Sequence, residues 1–593
     1  MTEYMRNTAS EPVDLDRRRF IVWSGGLLLY SVAGKSTGAF RNPDEVTGYP
    51  IAAEVFTTLR KTVVPGPKPA VTILLDEVSR YEQYGYGNWT LGDSLKTVTR
   101  TDIMPALYDG SGVTRRAKLL NFFTITDIHI TDKESPSQLI YLQQLNNGKW
   151  SFVTSIYSPV MLYTTHVLDA AVQTINALHR ENPIDFGISL GDTCNSTQYN
   201  ELRWYIDVLD GKVISPSSGA HVGADTIDYQ KPYKAAGLDR TIPWYQTLGN
   251  HDHFWIGSIP VDDALRKSYI SDRVIVTGDV LSDPRNIGKP DYFMGVLDGS
   301  TPYGDIAGAG PVGKFRVAPK VVADPDRRSL SRTEWMNEYF ATSSHPVGHG
   351  FNLSDAGTGF ACYSFVPKPA VPIKVIVLDD TQREDDGSVD IHGHGFLDQA
   401  RWDWLRKELA AGQAAGQLMI IAAHVPIGVE KSGSEMGWWN DARNAVTQTD
   451  LINELQSHPN FILWIAGHRH LNNVKAFSGA TPENGFWQVE TSSLRDFPQQ
   501  FRTFEIYLNR DQTISIVTTN VDPAVKDGTP AAKSRSYAVA AQQIINTDIY
   551  RNNPTGDSSV KAMPTGSYNA ELVVQLSPEM QAQLRKFGTT PGA

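Results

Sequence analysis

Five short segments between residues 127 and 470 carry side chains whose types and spacing suit them to hold metal ions. They are Asp127-Ile128-His129, Gly191-Asp192, Gly249-Asn250-His251-Asp252, His424 and Gly467-His468-Arg469-His470. The chain has 14 histidines, and five of them fall on these positions. Asp127 and His129 stand at i and i+2, which in an extended segment project to the same side, so this carboxylate and imidazole can grip one ion. His468 and His470 repeat that spacing. Asp127, Asp192, Asn250, His129, His424, His468 and His470 together offer two carboxylates, one amide and four imidazoles, with no thiolate. Mixed oxygen and nitrogen ligands suit Mn, Fe or Zn better than Ca or a structural cysteine zinc site. Seven side chains are too many for one ion. They suit two ions about 3.5–4 Å apart that share a bridging carboxylate. Two divalent ions less Asp127, Asp192 and one hydroxide leave a formal charge of roughly +1, which attracts a phosphate anion.

The elements that must position these residues are legible as apolar runs. Residues 119–126 read as a buried strand that ends at Asp127, and residues 186–190 as a strand that delivers Asp192 just past a glycine. Residues 242–248 lead to Asn250 and His251, 418–423 to His424, and 461–466 to His468 and His470. Ligand-bearing loops at the carboxyl ends of strands are where open α/β sheets place their sites. Each fragment alone has an ordinary reading: Gly-Asp is a common turn, and an Asp-x-His pair is often a satisfied polar contact. The five in this order are what point to a site.

In that order the segments resemble the signature of the calcineurin-like metallophosphoesterase superfamily, DxH, GD, GNHD, H and GHxH. The resemblance runs from residue 118 to 520. A secondary agreement is the strand 375–379, followed by Gln399, Trp402, Trp404 and Leu405 on a helix ahead of the lone His424. The resemblance implies an α/β fold, a four-layer αββα sandwich of two mixed sheets flanked by helices. It implies that Asp127, His129, Asp192 and His470 hold one metal, that Asp192 bridges, and that Asn250, His424 and His468 hold the other. His251 is then a catalytic histidine outside the ligand set, oriented by Asp252. The implied activity is hydrolysis of a phosphomonoester or phosphodiester by in-line attack of a metal-bridging hydroxide, with His251 protonating or stabilising the leaving oxygen. The ions would be two divalent or trivalent transition metals, Mn, Fe or Zn. His129 argues against the purple acid phosphatase branch, which lacks that histidine. Two other readings remain: a catalytically silent binding protein on the same fold, and a different metal-dependent hydrolase using the same ligands.

Composition bounds the partners. The 593 residues carry a net charge of −11, with a pI near 5.7 and no basic stripe along any helix, which disfavours nucleic-acid binding as a main role. A small phosphoester fits that balance. Two cysteines, Cys194 and Cys362, exclude a disulfide scaffold. Cys194, two residues past Asp192, reads as a small buried residue. Asp16-Arg17-Arg18-Arg19-Phe20-Ile21 resembles a twin-arginine export motif, and the apolar run 21–33 is too short to span a bilayer comfortably. The expected location is therefore periplasmic or extracellular, with no stable membrane span in the mature chain. Val22 stands where the motif usually has lysine, and the alternative is a leader ahead of a cytoplasmic enzyme. Superfamily members with long inserts and such a leader are the ones this chain is similar to.

The expected organisation is a leader at 1–39, an appendage at 40–117 with a Pro-rich break at 64–69, a core at 118–523 and a C-terminal extension at 524–593. Residues 161–180 read as a helix, with Leu168, Ala171, Val172, Ile175 and Leu178 on one face. The stretch 254–358 is Gly-, Pro-, Asp- and Ser-rich, with one helix at 331–342. An insert of that length is a cap over the cleft or a peripheral decoration. The runs 486–490, 501–508 and 514–519 read as strands finishing a second sheet. Residues 537–546 and 578–587 read as short helices. His392 and His394 also stand at i and i+2, as a third metal pair or a glycine-rich rim loop. Trp438-Trp439 reads as an aromatic wall, core packing or a rim patch. Arg469, between two ligands, should point away from the ions.

Overall fold

The computed structural model describes residues 46–111, 113–145, 156–280, 286, 288–384, 394–427, 443–545 and 568–587. The twin-arginine leader, His392 and Trp438-Trp439 lie outside the described residues. Thirteen strands build two mixed sheets. In chain order the first six are β1 (Thr97–Arg100), β2 (Arg115–Ile125), β3 (Phe186–Ser189), β4 (Trp244–Gln246), β5 (Tyr363–Phe365) and β6 (Ile373–Val377). Then follow β7 (Leu418–Ala422), β8 (Phe461–Ala466), β9 (Asn473–Phe477), β10 (Phe486–Glu490), β11 (Phe501–Asn509), β12 (Ile514–Val521) and β13 (Asn569–Val574). The seven-stranded sheet has the order β1-β13-β12-β11-β2-β3-β4, and the six-stranded sheet the order β5-β6-β7-β8-β10-β9.

The strands that precede the motif residues are parallel neighbours: β2, β3 and β4 in one sheet, β6, β7 and β8 in the other. Parallel strands covered on both faces read as unbroken apolar runs, as Leu418–Ala422 and Phe461–Ala466 do. Alternation sorts their side chains. Val375, Val377, Leu418, Ile420 and Ala422 join one large core with Phe122, Phe123, Phe186 and Phe504 of the seven-stranded sheet. Ile376, Met419, Ile421 and Trp464 face the other way, onto helices α4 and α5 defined below.

Seven helices matter here: α1 (Thr164–Glu181), α2 (Tyr199–Leu209), α3 (Arg332–Glu338), α4 (Gln399–Ala414), α5 (Gln448–Gln456), α6 (Pro530–Ile545) and α7 (Pro578–Leu584). Leu168, Ala171, Val172 and Ile175 of α1 and Leu202, Tyr205 and Ile206 of α2 bury into the core shared with the seven-stranded sheet. Leu405 and Leu409 of α4 and Leu451 and Leu455 of α5 cover the six-stranded one. Helix α1 begins later than its apolar spacing predicts because Pro159–Leu162 form a 3-10 turn ahead of it. Among the described residues no helix is long and apolar enough to cross a membrane.

Three expectations are corrected. The seven-stranded sheet draws β1 from the stretch read as an appendage and β13 from the stretch read as a C-terminal extension, so the sheet runs past both 118 and 523. Thr58 and Thr62 stitch the appendage further, to Asn520 and Asn569 and to Asp522. The strands 486–490, 501–508 and 514–519 do not finish one sheet: β10 joins the six-stranded sheet, and β11 and β12 the seven-stranded one. The helix at 331–342 is shorter, Arg332–Glu338, opened by a capping box between Ser331 and Glu334. Residues 254–358 also hold a three-stranded antiparallel sheet (Val276–Thr277, Tyr292–Leu297, Ile306–Pro311) and a small apolar cluster around Trp255, Tyr269 and Met294. The insert thus has strands and an apolar cluster of its own, while Leu330, Trp335, Met336, Tyr339 and Phe351 of its second half join the main core.

Candidate metal centre

All five motif segments follow carboxyl ends of parallel strands. Asp127 and His129 follow β2, Asp192 follows β3, Asn250 follows β4, His424 follows β7, and His468 and His470 follow β8. Two motif glycines make the convergence sterically feasible. A Cβ on Gly249 would lie 2.1 Å from the backbone nitrogen of Asp192, and one on Gly467 would lie 2.0 Å from Thr126 Oγ1 and 2.5 Å from Asp127 Oδ2. Five of the seven ligand residues adopt left-handed rather than extended backbone: φ is 50° at Asp127, 46° at His129, 52° at Asp192, 70° at His468 and 58° at His470. Non-glycine residues held there store strain of the kind that clusters at functional sites.

The side chains form two groups joined by one oxygen. In the first, His470 Nε2 is 3.4 Å from Asp127 Oδ1 and 3.2 Å from His129 Nε2. In the second, His424 Nε2 and His468 Nδ1 are 3.2 Å apart and lie 2.8 and 3.1 Å from Asn250 Oδ1. Asp192 Oδ2 is 3.6 Å from His129 Nε2 and 3.3 Å from His424 Nε2, so it borders both. Ligand atoms held 2.0–2.1 Å from one ion stand roughly 2.9–3.4 Å apart at right-angled to tetrahedral spacing. Most of the observed separations, 3.1–3.4 Å, fall in that range, while His129 Nε2 stands wider, 3.6 Å from Asp192 Oδ2 and 4.0 Å from Asp127 Oδ1, and the donor set fits two ions. Three triads have ligand atoms all within 4.8 Å of one another: Asp127–His129–His470, Asp192–His424–His468 and, between them, His129–Asp192–His251. The structure thus brings all seven expected ligands together, and His251 beside them.

A second set of groups orients the first. His424 directs Nδ1 to the Leu190 carbonyl (2.8 Å), and its backbone N–H donates to Asp380 Oδ1 (3.1 Å). His470 Nδ1 meets Asp496 Oδ2 at 2.5 Å. His468 N donates to Asp127 Oδ2 (2.9 Å). Such partners fix the tautomer and aim of a ligating imidazole. Asp380 and Asp496 were missed in the sequence, where a lone aspartate after a strand carries no spacing to single it out. The role given to Asp252 also changes. Its carboxylate accepts the N–H groups of Asp192, Thr193, Cys194 and Gly249 at 2.9–3.1 Å and the Thr193 hydroxyl at 2.6 Å. It therefore shapes the loop around Asp192, while the His251 imidazole is held by the Asn195 carbonyl, 2.7 Å from Nδ1. Arg469 points away from the cluster and pairs with Glu490 at 2.5–2.6 Å. Cys194 is buried, and burial pushes its thiol well above the usual range.

The electrostatics ask for positive charge. Burial works against a charged His424, but Asp192, then Asp127 and Asp380, together outweigh it and raise this imidazole to about 10. Burial likewise opposes charge on His470, yet Asp127 and then Asp496 raise it to about 10. His129 and His468 fall well below the usual range, through burial and then the neighbouring imidazoles His251 and His424. The carboxylates thus stabilise two protons on the very nitrogens that face the cluster, and cations would displace them.

No family model matches the chain, and no curated protein matches it. Among solved structures it is similar to a dimetal phosphatase from Danio rerio, at 12% identity and a TM-score of 0.34, over 69% of this chain and 100% of that one. The reading of the site rests on its own geometry.

Proposed function

We propose that this chain is a dinuclear metal-dependent phosphoesterase of the calcineurin-like kind, acting on a small phosphomonoester or phosphodiester. The observation that carries the reading is Asp192 Oδ2, placed between two complete ligand groups. Asp127, His129, Asp192 and His470 would hold one ion, and Asp192, Asn250, His424 and His468 the other. When bound, the ions would lower the pKa of a water and neutralise charge on the phosphate. The chain's own residues supply the rest. Nδ1 of His251 donates to the Asn195 carbonyl, so the neutral ring presents a bare Nε2. Nε2 gives a proton to the departing oxygen from the imidazolium form, which burial disfavours and the Asp192 carboxylate favours, an effect worth about 10²–10⁴ in rate. Asp252 keeps the backbone of residues 192–194 in place, which sets the direction of the Asp192 carboxylate. His468, Arg469 and His470 are only half-buried and form the side open to substrate.

A catalytically silent binding protein would be expected to have lost ligands, and here the set is complete. The two sheets and their covering helices support a four-layer αββα arrangement, and the packed insert supports a cap. Export by the twin-arginine route remains the proposal for the leader. The test is chelation, reconstitution with Mn²⁺ and assay on para-nitrophenyl monoesters and diesters. Metal-dependent hydrolysis of either ester is the expected result. A chain that binds two ions without turning over any ester is a silent module, and one that cleaves only non-phosphate esters is another hydrolase.

A further inference from the structure

The ligands come in two halves. Asp127, His129, Asp192 and Asn250 lie in loops of the seven-stranded sheet, and His424, His468 and His470 in loops of the six-stranded one. Eight residues of the insert, 325–332, touch loops of both. Arg327 is 1% exposed and donates from Nε to Asp132 Oδ2 at 3.1 Å, three residues beyond His129. Leu330 N donates to the Thr197 carbonyl (2.8 Å), Tyr199 N donates to the Arg328 carbonyl (3.0 Å), and the Ser329 and Thr197 hydroxyls meet at 2.7 Å. These bonds bind the segment to the loop that follows Asp192. Arg332 is 5% exposed, pairs with Asp379 at the end of β6 and donates to the Gln382 carbonyl (2.8 Å). Asp379 precedes Asp380, the carboxylate that accepts the His424 backbone N–H. Glu384 completes the set, 3.3 Å from Arg332 Nε and 2.9 Å from Nδ1 of His253, which follows Asn250 and His251 in the chain.

Breaking a buried ion pair leaves an uncompensated charge, and the planar guanidinium fork fixes direction as a lysine does not. We propose that residues 325–332 are a clasp across the two halves of the metal centre, with Arg327 and Arg332 as positioning residues. Arg327 serves the ion held by Asp127 and His129, and Arg332 the ion held by Asn250 and His424. The proposal rests on the dinuclear reading above.

The test uses the full chain, chelated and then titrated calorimetrically with Mn²⁺, with elemental analysis of the product. Arg332→Lys and Arg327→Lys keep the charge and lose the fork. Each should weaken one of the two ions about 10–100-fold and leave the other within about threefold, as loss of an outer partner does. The two losses should fall on different ions, so the double variant weakens both. Folded Lys variants that bind both ions within about threefold of the wild type overturn the clasp alone. A wild-type chain that takes up no Mn²⁺ overturns the clasp and the dinuclear reading together. Where the variants fail to fold, hydrogen exchange on the unaltered chain decides. Coupling is reciprocal, so Mn²⁺ should slow exchange at the Leu330 and Trp335 amides about tenfold or more. Unchanged exchange there overturns the clasp.

Discussion

Asp192 touches both ligand groups through one oxygen, so its loss is felt twice. Asp192→Asn is expected to bring metal content well below two ions per chain, read by elemental analysis after dialysis. Two tightly held ions in that variant would contradict the bridge. His251 makes the opposite case. Its Nδ1 is engaged by the Asn195 carbonyl and the ligand groups are complete without it, so His251→Ala should keep its metals and turn over about 10²–10⁴ times more slowly on alkyl esters. The loss should shrink for para-nitrophenyl esters, whose leaving group needs no proton. An equal loss on both would remove the acid role. At this scale the sequence is most readable, because i, i+2 pairs and motif glycines are local. What it hid is what acts from a distance: Asp496, which reaches back from another loop to His470, and the task of Asp252, whose partners are mostly backbone groups with no sequence signature.

Between elements, Asp379 joins β6, α3 and α4. Burial alone would raise its pKa, but Arg332 and then Arg401 outweigh that and hold it at about 2, against an ordinary 3.8. A depressed folded-state pKa contributes stability that is present in full above the unfolded value and lost as pH falls through the folded one. The contribution is therefore about 2 kcal/mol above pH 4 and disappears toward pH 2. Urea unfolding of the wild type and Asp379→Asn should show a gap at pH 6 that narrows steadily below pH 4. A gap that does not change between pH 6 and pH 3 would mean the pair adds nothing. The strands that carry ligands were legible because both their faces are buried, which leaves unbroken runs such as Phe-Ile-Leu-Trp-Ile-Ala. The insert was not, because its short strands are joined by Gly and Pro turns and its cluster borrows Leu139 and Leu142 from outside it.

For the whole molecule, the sheet does not respect the boundaries that composition implies. Thr-Val-Thr-Arg and Asn-Ala-Glu-Leu-Val-Val are short and half polar, and nothing local tells that they are the two neighbouring strands of one sheet. A chain stopped at residue 523 loses β13 from between β12 and β1 and leaves Ile514, Ile516 and Val574's other neighbours without cover. It is expected to be insoluble or to show no cooperative thermal transition. A soluble, metal-binding product would instead support a core that ends at 523. The pairing of β1 with β13 also sets a clock. Residue 569 is made 472 residues after residue 97, and β13 is the only sheet neighbour of β1 among the described residues. At about 5–20 residues per second, β1 waits roughly half a minute to a minute and a half on the ribosome for its partner. The edge of β12, made 48 residues before β13, is open for only the last roughly 2–10 s of that wait, and in those seconds it is a template for wrong pairing.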